Sequence, residues 1–254
     1  MADYIIDAVE EAIEVLSLIA RNPGLGVTEL SVRSGNTKAR TFRMLRTLEK
    51  NGLVFRSGQA PIYTLGLKVL YLGLAAEGQI ALARAARSCM RELGAACDET
   101  VQLRIRDGTE SICVARWEAS HRLQMLAKGW GARRPLYVGA SGKVLLSHAP
   151  QDIKDSVFSM ERISYTKATL VGRSNLKQAM HKIAQAGYGV SHGELVADAV
   201  SIAAPIRDAN AEVVAAISVA GPASRLARED MQGTIDLVVG AARKLSDILG
   251  YRDE

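Results

Sequence analysis

Residues 27–53, VTELSVRSGNTKARTFRMLRTLEKNGL, limit the folds open to this chain more than any other stretch. Thr28 is placed to cap a short first helix that carries Leu30 and Val32. Ser34-Gly35-Asn36 then breaks the chain, with Gly35 giving the backbone freedom that a sharp turn needs. Asn36 or Thr37 can cap a second helix, in which Thr41, Met44, Leu45 and Leu48 recur at i, i+3, i+4 and i+7. That spacing predicts one inward stripe, ended by Gly52. Lys38, Arg40, Phe42, Arg43, Arg46 and Thr47 fall on the other faces. A short helix, a glycine turn and a helix apolar behind and cationic in front is the plan of a helix-turn-helix DNA reader. Thr41 is the polar member of the inward stripe. Either its hydroxyl bonds back to a helix carbonyl, or the helix is rotated and Phe42 is partly buried.

The charge pattern agrees with a nucleic-acid partner. The net charge is only +5, but positions 33–56 hold seven basic residues against the single acid Glu49. Positions 3–14 hold five acids and no base. Cationic charge concentrated on the second helix is what phosphate contact requires. With 254 residues, 48% of them hydrophobic, the chain suits two packed domains and excludes a disordered one. No run of 18 apolar residues predicts a membrane span, and the acidic, amphipathic start is unlike a signal peptide. These features predict a cytoplasmic protein. Cys89, Cys97 and Cys113 are odd in number, lack metal-ligand spacing and read as buried thiols.

Taken in order, residues 8–20 have a helical apolar period with an acidic outer face. The two helices above follow, then a hairpin of 53–56 and 62–65 around a turn at 57–61. Three helices and a hairpin make a winged helix-turn-helix, with 57–62 as the wing. A helical pattern resumes at 67–73, and a longer helix is predicted over about 79–96. From position 99 the texture changes. Residues 100–106 alternate at period two, Asp107-Gly108 is a hairpin turn, and 111–116 is a second strand. Residues 136–147 read as a strand end, a Gly-Ala-Ser-Gly turn and a helix start. A helix over 177–186 is closed by Gly187. Strands at 199–206 and 213–219 flank a turn at 208–210, and 227–249 forms a terminal amphipathic helix. The order predicts an α+β chain: winged domain 1–66, connecting helix 67–78, and sensor-like domain 79–254.

The sequence resembles the IclR family of bacterial transcriptional regulators over nearly the whole chain. In the N-terminal part the resemblance rests on Ala8 and Leu16, Thr28-Glu29-Leu30, Lys38, Arg43, Leu45, Thr47-Leu48-Glu49, Gly52-Leu53-Val54 and Tyr63-Thr64-Leu65-Gly66. In the C-terminal part it rests on Arg134-Pro135-Leu136, Gly139-Ala140-Ser141-Gly142-Lys143, Gly187-Tyr188, Glu194, residues 202–206 and residues 217–222. It implies a winged helix-turn-helix followed by a GAF-like α/β effector-binding domain. Further implications are dimers or tetramers on near-palindromic double-stranded operator DNA, and small organic or aromatic acids as effectors. The sequence departs from the family's usual pattern at Thr41, Phe42, Ser191 and Ser201.

Thr37 and Lys38, near a helix N-terminus, are phosphate candidates. Arg40, Phe42 and Arg43 are candidates for base edges, where arginine pairs with guanine and an aromatic ring can touch a thymine methyl. Arg46 and Thr47 share those faces, and Arg56 and Gln59 on the wing are placed to reach a phosphate or the minor groove. By the resemblance, Gly139, Ala140 and Ser141 line the effector pocket, and Ser201 and Ser218 face the ligand with hydroxyls that suit a carboxylate or hydroxyl group. Ser191 and His192, just ahead of the Ser201 strand, are further effector-binding candidates, His192 through a hydrogen bond to the effector. Leu123, Met125 and Trp130 supply an apolar wall if the loop before Arg134 folds over the pocket. Catalytic readings fail. A phosphate-binding loop would need glycine at position 137 and Ser or Thr at 144, which are Tyr and Val. A nucleophile elbow would need glycine where Lys143 stands. The four histidines share no ligand spacing, so neither metal nor cofactor is expected. A ligand-responsive, non-catalytic regulator is the reading that fits most of these residues. A constitutive DNA binder with an oligomerising C-terminal domain, or an enzyme on a GAF-like scaffold, are the alternatives.

Overall fold

A computed structural model describes residues 5–79, 81–119, 131–226 and 231–252. The chain divides into two compact units, 1–79 and 80–254.

In the first unit, α1 (Asp7–Arg21), α2 (Val27–Ser34) and α3 (Lys38–Lys50) pack against a three-stranded antiparallel sheet. The sheet has the order β1 (Leu25–Gly26), β3 (Ile62–Leu65), β2 (Val54–Ser57). Its core is Val15, Leu18, Ile19, Leu30, Met44, Leu45, Leu48, Val54 and Tyr63. The inward stripe therefore holds. Thr28 lies inside the first turn of α2 and does not cap it. Gly26 takes the N-cap, and the Glu29 carboxylate accepts its backbone N–H at 3.1 Å. Gly35 closes α2 with φ +70°, and Thr37 caps α3 by accepting the Arg40 N–H at 3.3 Å. The strand pair β1–β3 escaped the sequence reading because two residues carry no period. A helix, α4 (Leu67–Gln79), completes the unit.

The second unit is built on a six-stranded, wholly antiparallel sheet. Its order is β6 (Arg133–Pro135), β5 (Glu110–Trp117), β4 (Thr100–Asp107), β9 (Val213–Pro222), β8 (Ala199–Arg207), β7 (Gly189–His192). One face packs on α5 (Ala81–Cys97) and α10 (Met231–Ile248) through Val101, Leu103, Ile202, Ile217 and Val219. The other face packs through Ala203 and Ala216 on α6 (Gly139–Ser147) and α8 (Arg173–Ala186). Two short helices, α7 (Gln151–Ser159) and α9 (Ala223–Leu226), fill the connections. Gly-Ala-Ser-Gly does not form a turn ahead of a helix, as the sequence suggested; it is the first turn of α6. At Gly142 a side chain's Cβ would stand 2.8 Å from the Leu136 carbonyl oxygen, so glycine lets α6 seat on that backbone. Both units are mixed α and β, as expected. No helix among the described residues is long and apolar enough to cross a membrane.

Candidate DNA-binding face and effector cavity

On α3, 100° per residue sets Thr41, Met44, Leu45 and Leu48 inward and Ala39, Phe42, Arg43, Arg46 and Lys50 along the opposite line. Burial follows that wheel. Thr41 is fully buried and Phe42 is 46% exposed. Neither explanation offered for Thr41 holds: the helix is not rotated, and the Thr41 hydroxyl has no hydrogen-bond partner among the described residues. Arg40 stands on the flank of the helix, where its Nε meets Glu11 Oε2 of α1 at 2.6 Å. Arg46 pairs with Glu49 at 3.1 Å. Thr47 donates its hydroxyl to the Arg43 carbonyl at 3.0 Å. The Arg43 and Lys38 side chains are exposed and make no ion pair among the described residues. Arg56 and Gln59 are exposed at the hairpin tip, where Gly58 turns with φ +81°. Ala39 and Lys50 share the outward line although the sequence reading passed over them.

The second unit encloses a cavity of about 410 Å³ against the α6 face of the sheet. Strand register explains its lining. Gln102 pairs with Ser218 and Ser218 with Ala203, while Ser191 pairs with Ser201 and Ser201 with Ala220. With Arg104 two residues beyond Gln102, these side chains share one face. A bulge in β5 at Val114, between the pairs Leu103–Ala115 and Arg104–Cys113, keeps Ser111 beneath Arg104. Gly139, Ala140 and Ser141 at the start of α6 line the same space, and Gly139 turns into the helix with φ +75°. The structure thus gathers Gly139, Ala140, Ser141, Ser191, Ser201 and Ser218 around one cavity. His192 departs from the expectation: alternation along β7 turns it outward, exposed and off the lining. Leu123, Met125 and Trp130 lie outside the described residues.

The hydrogen bonds fix this lining. Lys143 and Glu194, both buried, form an ion pair, and Glu194 also accepts the Gly139 N–H at 3.1 Å. Ser201 Oγ accepts the Ala140 N–H at 3.4 Å. Lys143, read from sequence only as a helix start, is therefore a buried cation holding the loop after β7. Thr169 donates to the Glu194 carbonyl at 2.7 Å and brings Tyr165 to the cavity rim. Gln102, Arg104, Ser111 and Tyr165 also line the cavity, though none stood out in sequence. Arg104 is 2% exposed, donating from Nε to Ser111 Oγ at 3.0 Å and from Nη2 to the carbonyls of Ser111 and Ala132 at 2.8 and 2.7 Å. Burial, and then the neighbouring Arg134 guanidinium, pull the Arg104 pKa down to about 10. Burial lowers that of Arg134 as well. No group of three His, Cys, Asp or Glu side chains among the described residues is placed to hold a metal ion.

A three-helix winged unit with a cationic outer helix, followed by a sheet unit with a cavity that carries arginine, serine and apolar side chains, defines a one-component regulator architecture. Comparison with known proteins agrees. Residues 8–58 match the IclR helix-turn-helix domain and residues 75–247 match the bacterial transcriptional regulator IclR C-terminal domain. The chain belongs to the IclR family of transcriptional regulators. It is 30% identical to the HTH-type transcriptional regulator KdgR of Escherichia coli K12, covering 98% of this chain and 94% of that protein. It is 32% identical to the regulator KipR of Bacillus subtilis 168, covering 96% and 97%. A crystal structure of an IclR transcriptional regulator from Alicyclobacillus acidocaldarius superposes with a TM-score of 0.86 at 25% identity, covering 96% of this chain and 99% of that one. An IclR homologue from Microbacterium hydrocarbonoxydans, solved in complex with 4-hydroxybenzoate, matches in fold with a TM-score of 0.81 at 21% identity, covering 95% and 98%. The named relatives are transcription regulators, and this chain is a regulator of that kind rather than an enzyme.

Proposed function

We propose that the chain binds near-palindromic double-stranded operator DNA with α3 and the wing, and that a small organic or aromatic acid in the C-terminal cavity changes that binding. The observation that carries this reading is the division of labour: the cationic face lies in one unit and the ligand-sized cavity in the other. We assign 1–66 to DNA binding, 67–78 to a connecting helix and 79–254 to effector binding and oligomerisation. The change of compact unit after residue 79 supports that division. Thr37 and Lys38 contact phosphate; Arg43, Phe42 and Arg46 face base edges; Arg56 and Gln59 follow the backbone from the wing. Arg40 joins them once it leaves Glu11. Gly139, Ala140, Ser141, Ser191, Ser201 and Ser218 contact the effector. The 4-hydroxybenzoate bound by a structural neighbour supports the class of acid.

The protein acts in the cytoplasm as a homo-oligomer. Ile6, Val9 and Ile13 make an exposed stripe on α1, and Leu67, Leu70, Tyr71 and Leu74 make one on α4, with Leu67 85% exposed. Contiguous apolar surface of that kind marks an association face, and a second copy of this chain supplies the two-fold symmetry that a palindrome needs. Arg43→Ala is expected to weaken operator binding by about 5- to 150-fold, the range of one base-edge contact at about 1–3 kcal/mol. Gel-shift titration checks this beside circular dichroism to confirm the fold, and unchanged affinity would remove Arg43 from the reading face.

A further inference from the structure

The cavity lining carries four charged residues, Arg104, Arg133, Arg134 and Glu194. Glu194 is neutralised by Lys143, and Arg133 by Asp107 and Glu110. Arg104 and Arg134 remain with no acidic partner among the described residues. Arg104 is almost wholly enclosed and its Nη1 has no hydrogen-bond partner there. Gln102 Nε2 is a second buried donor without a partner there. The segment 120–130, outside the described residues, contains no Asp or Glu. Two guanidiniums withdrawn from water without counter-charge are unfavourable unless an anion arrives. Ser191, Ser201, Ser218 and the α6 N-terminus lie toward β9, β8 and β7, whereas the arginines lie on β4 and β6 with Ser111 of β5 beside Arg104. The lining is thus polarised, cationic at one end and hydroxyl-rich at the other.

We propose that the effector is a dianion, whose two negative charges are matched by Arg104 and Arg134 while its remaining polar groups meet Ser191, Ser201, Ser218 and the start of α6. This rests on the reading of the cavity as the effector site. Among the described residues Arg104 has its Nη1 free to donate to one anionic oxygen and Arg134 has its whole guanidinium free. Carboxylate and phosphate oxygens both accept such charge-assisted bonds, so dicarboxylates and phosphate monoesters alike have the required chemistry. A cavity of about 410 Å³ limits either to a small molecule.

Isothermal titration of the full chain tests it with glutarate and phthalate as dicarboxylates, glycerol 3-phosphate and phenyl phosphate as monoesters, butyrate and benzoate as monoanions, and benzamide as a neutral control. At least one dianion is expected to bind ten times more tightly than the monoanions, and the stronger of the two dianion sets identifies its source. Arg134→Gln, which removes a cation that makes no hydrogen bond among the described residues, should erase that preference without lowering the melting temperature. Arg104→Lys, which keeps the charge but loses the free Nη1 donor, should retain part of it. Monoanions or benzamide binding as tightly as every dianion would overturn the dianion and leave the effector site standing. So would an undiminished preference in Arg134→Gln. No binding by any compound would overturn both.

Discussion

Single residues decide how freely the DNA-binding face can act. Arg40 is restrained by Glu11 across a partly exposed ion pair. Such pairs contribute about 0.2–1 kcal/mol, so the guanidinium is easily released to a phosphate. Glu11→Gln removes both the competing carboxylate and a negative charge beside the DNA. Operator affinity should rise by a few-fold, with the gain shrinking as salt is raised, measured by fluorescence anisotropy. A fall in affinity would mean that the pair orients Arg40 for binding. His148, at the C-terminus of α6, is a second telling residue. Its Nε2 is buried without a partner, and burial, with Arg207 and Lys154 nearby, lowers its pKa to about 4. The folded state therefore resists protonation that the unfolded state accepts below about 6.5. Stability should be full above pH 6.5 and decline as pH falls toward 4, by up to about 2–3 kcal/mol. Urea unfolding at pH 7 and pH 5 checks the sign, and His148→Gln should flatten that dependence.

Among the elements, α6 carries the site. Its first turn supplies cavity lining, and its fifth residue is the buried cation Lys143. Glu194→Gln would leave that cation unpaired and is expected to lower stability by about 3–5 kcal/mol, read by urea denaturation. A loss under 1 kcal/mol would show that the pair is not a main support of the loop. Elements also mark how far the sequence could be read. The helices of the winged unit, the β4–β5 hairpin and the β8–β9 hairpin were legible, because their periods and turns are local. The edge strands β6 and β7 were not, since three or four residues have no period and their register comes from distant partners. In β4 the period-two alternation of Gln102 and Arg104 with Val101 and Leu103 was legible, but not what the polar face meets. That face lines the cavity. Arg104 was missed because a buried arginine and a solvated one look alike in sequence. His192 was misplaced by one residue of pleat, which reverses the face a side chain occupies.

For the whole molecule, the central claim is coupling: an anion in one unit alters how the other holds DNA. Two states with different effector affinities are required, and the effector shifts their populations. Linkage then makes the effect reciprocal, with a factor of about 5–150 for typical coupling of 1–3 kcal/mol. In the proposed division residues 67–78 are the connecting helix, and such a shift would pass along the chain through them. The most direct test uses a duplex selected by the protein from a random pool, and the tightest dianion from the titrations. Duplex affinity is measured with and without saturating dianion, and dianion affinity with and without saturating duplex. The account predicts that both change by the same factor, of at least fivefold. Equal duplex affinities with the cavity fully occupied would contradict it.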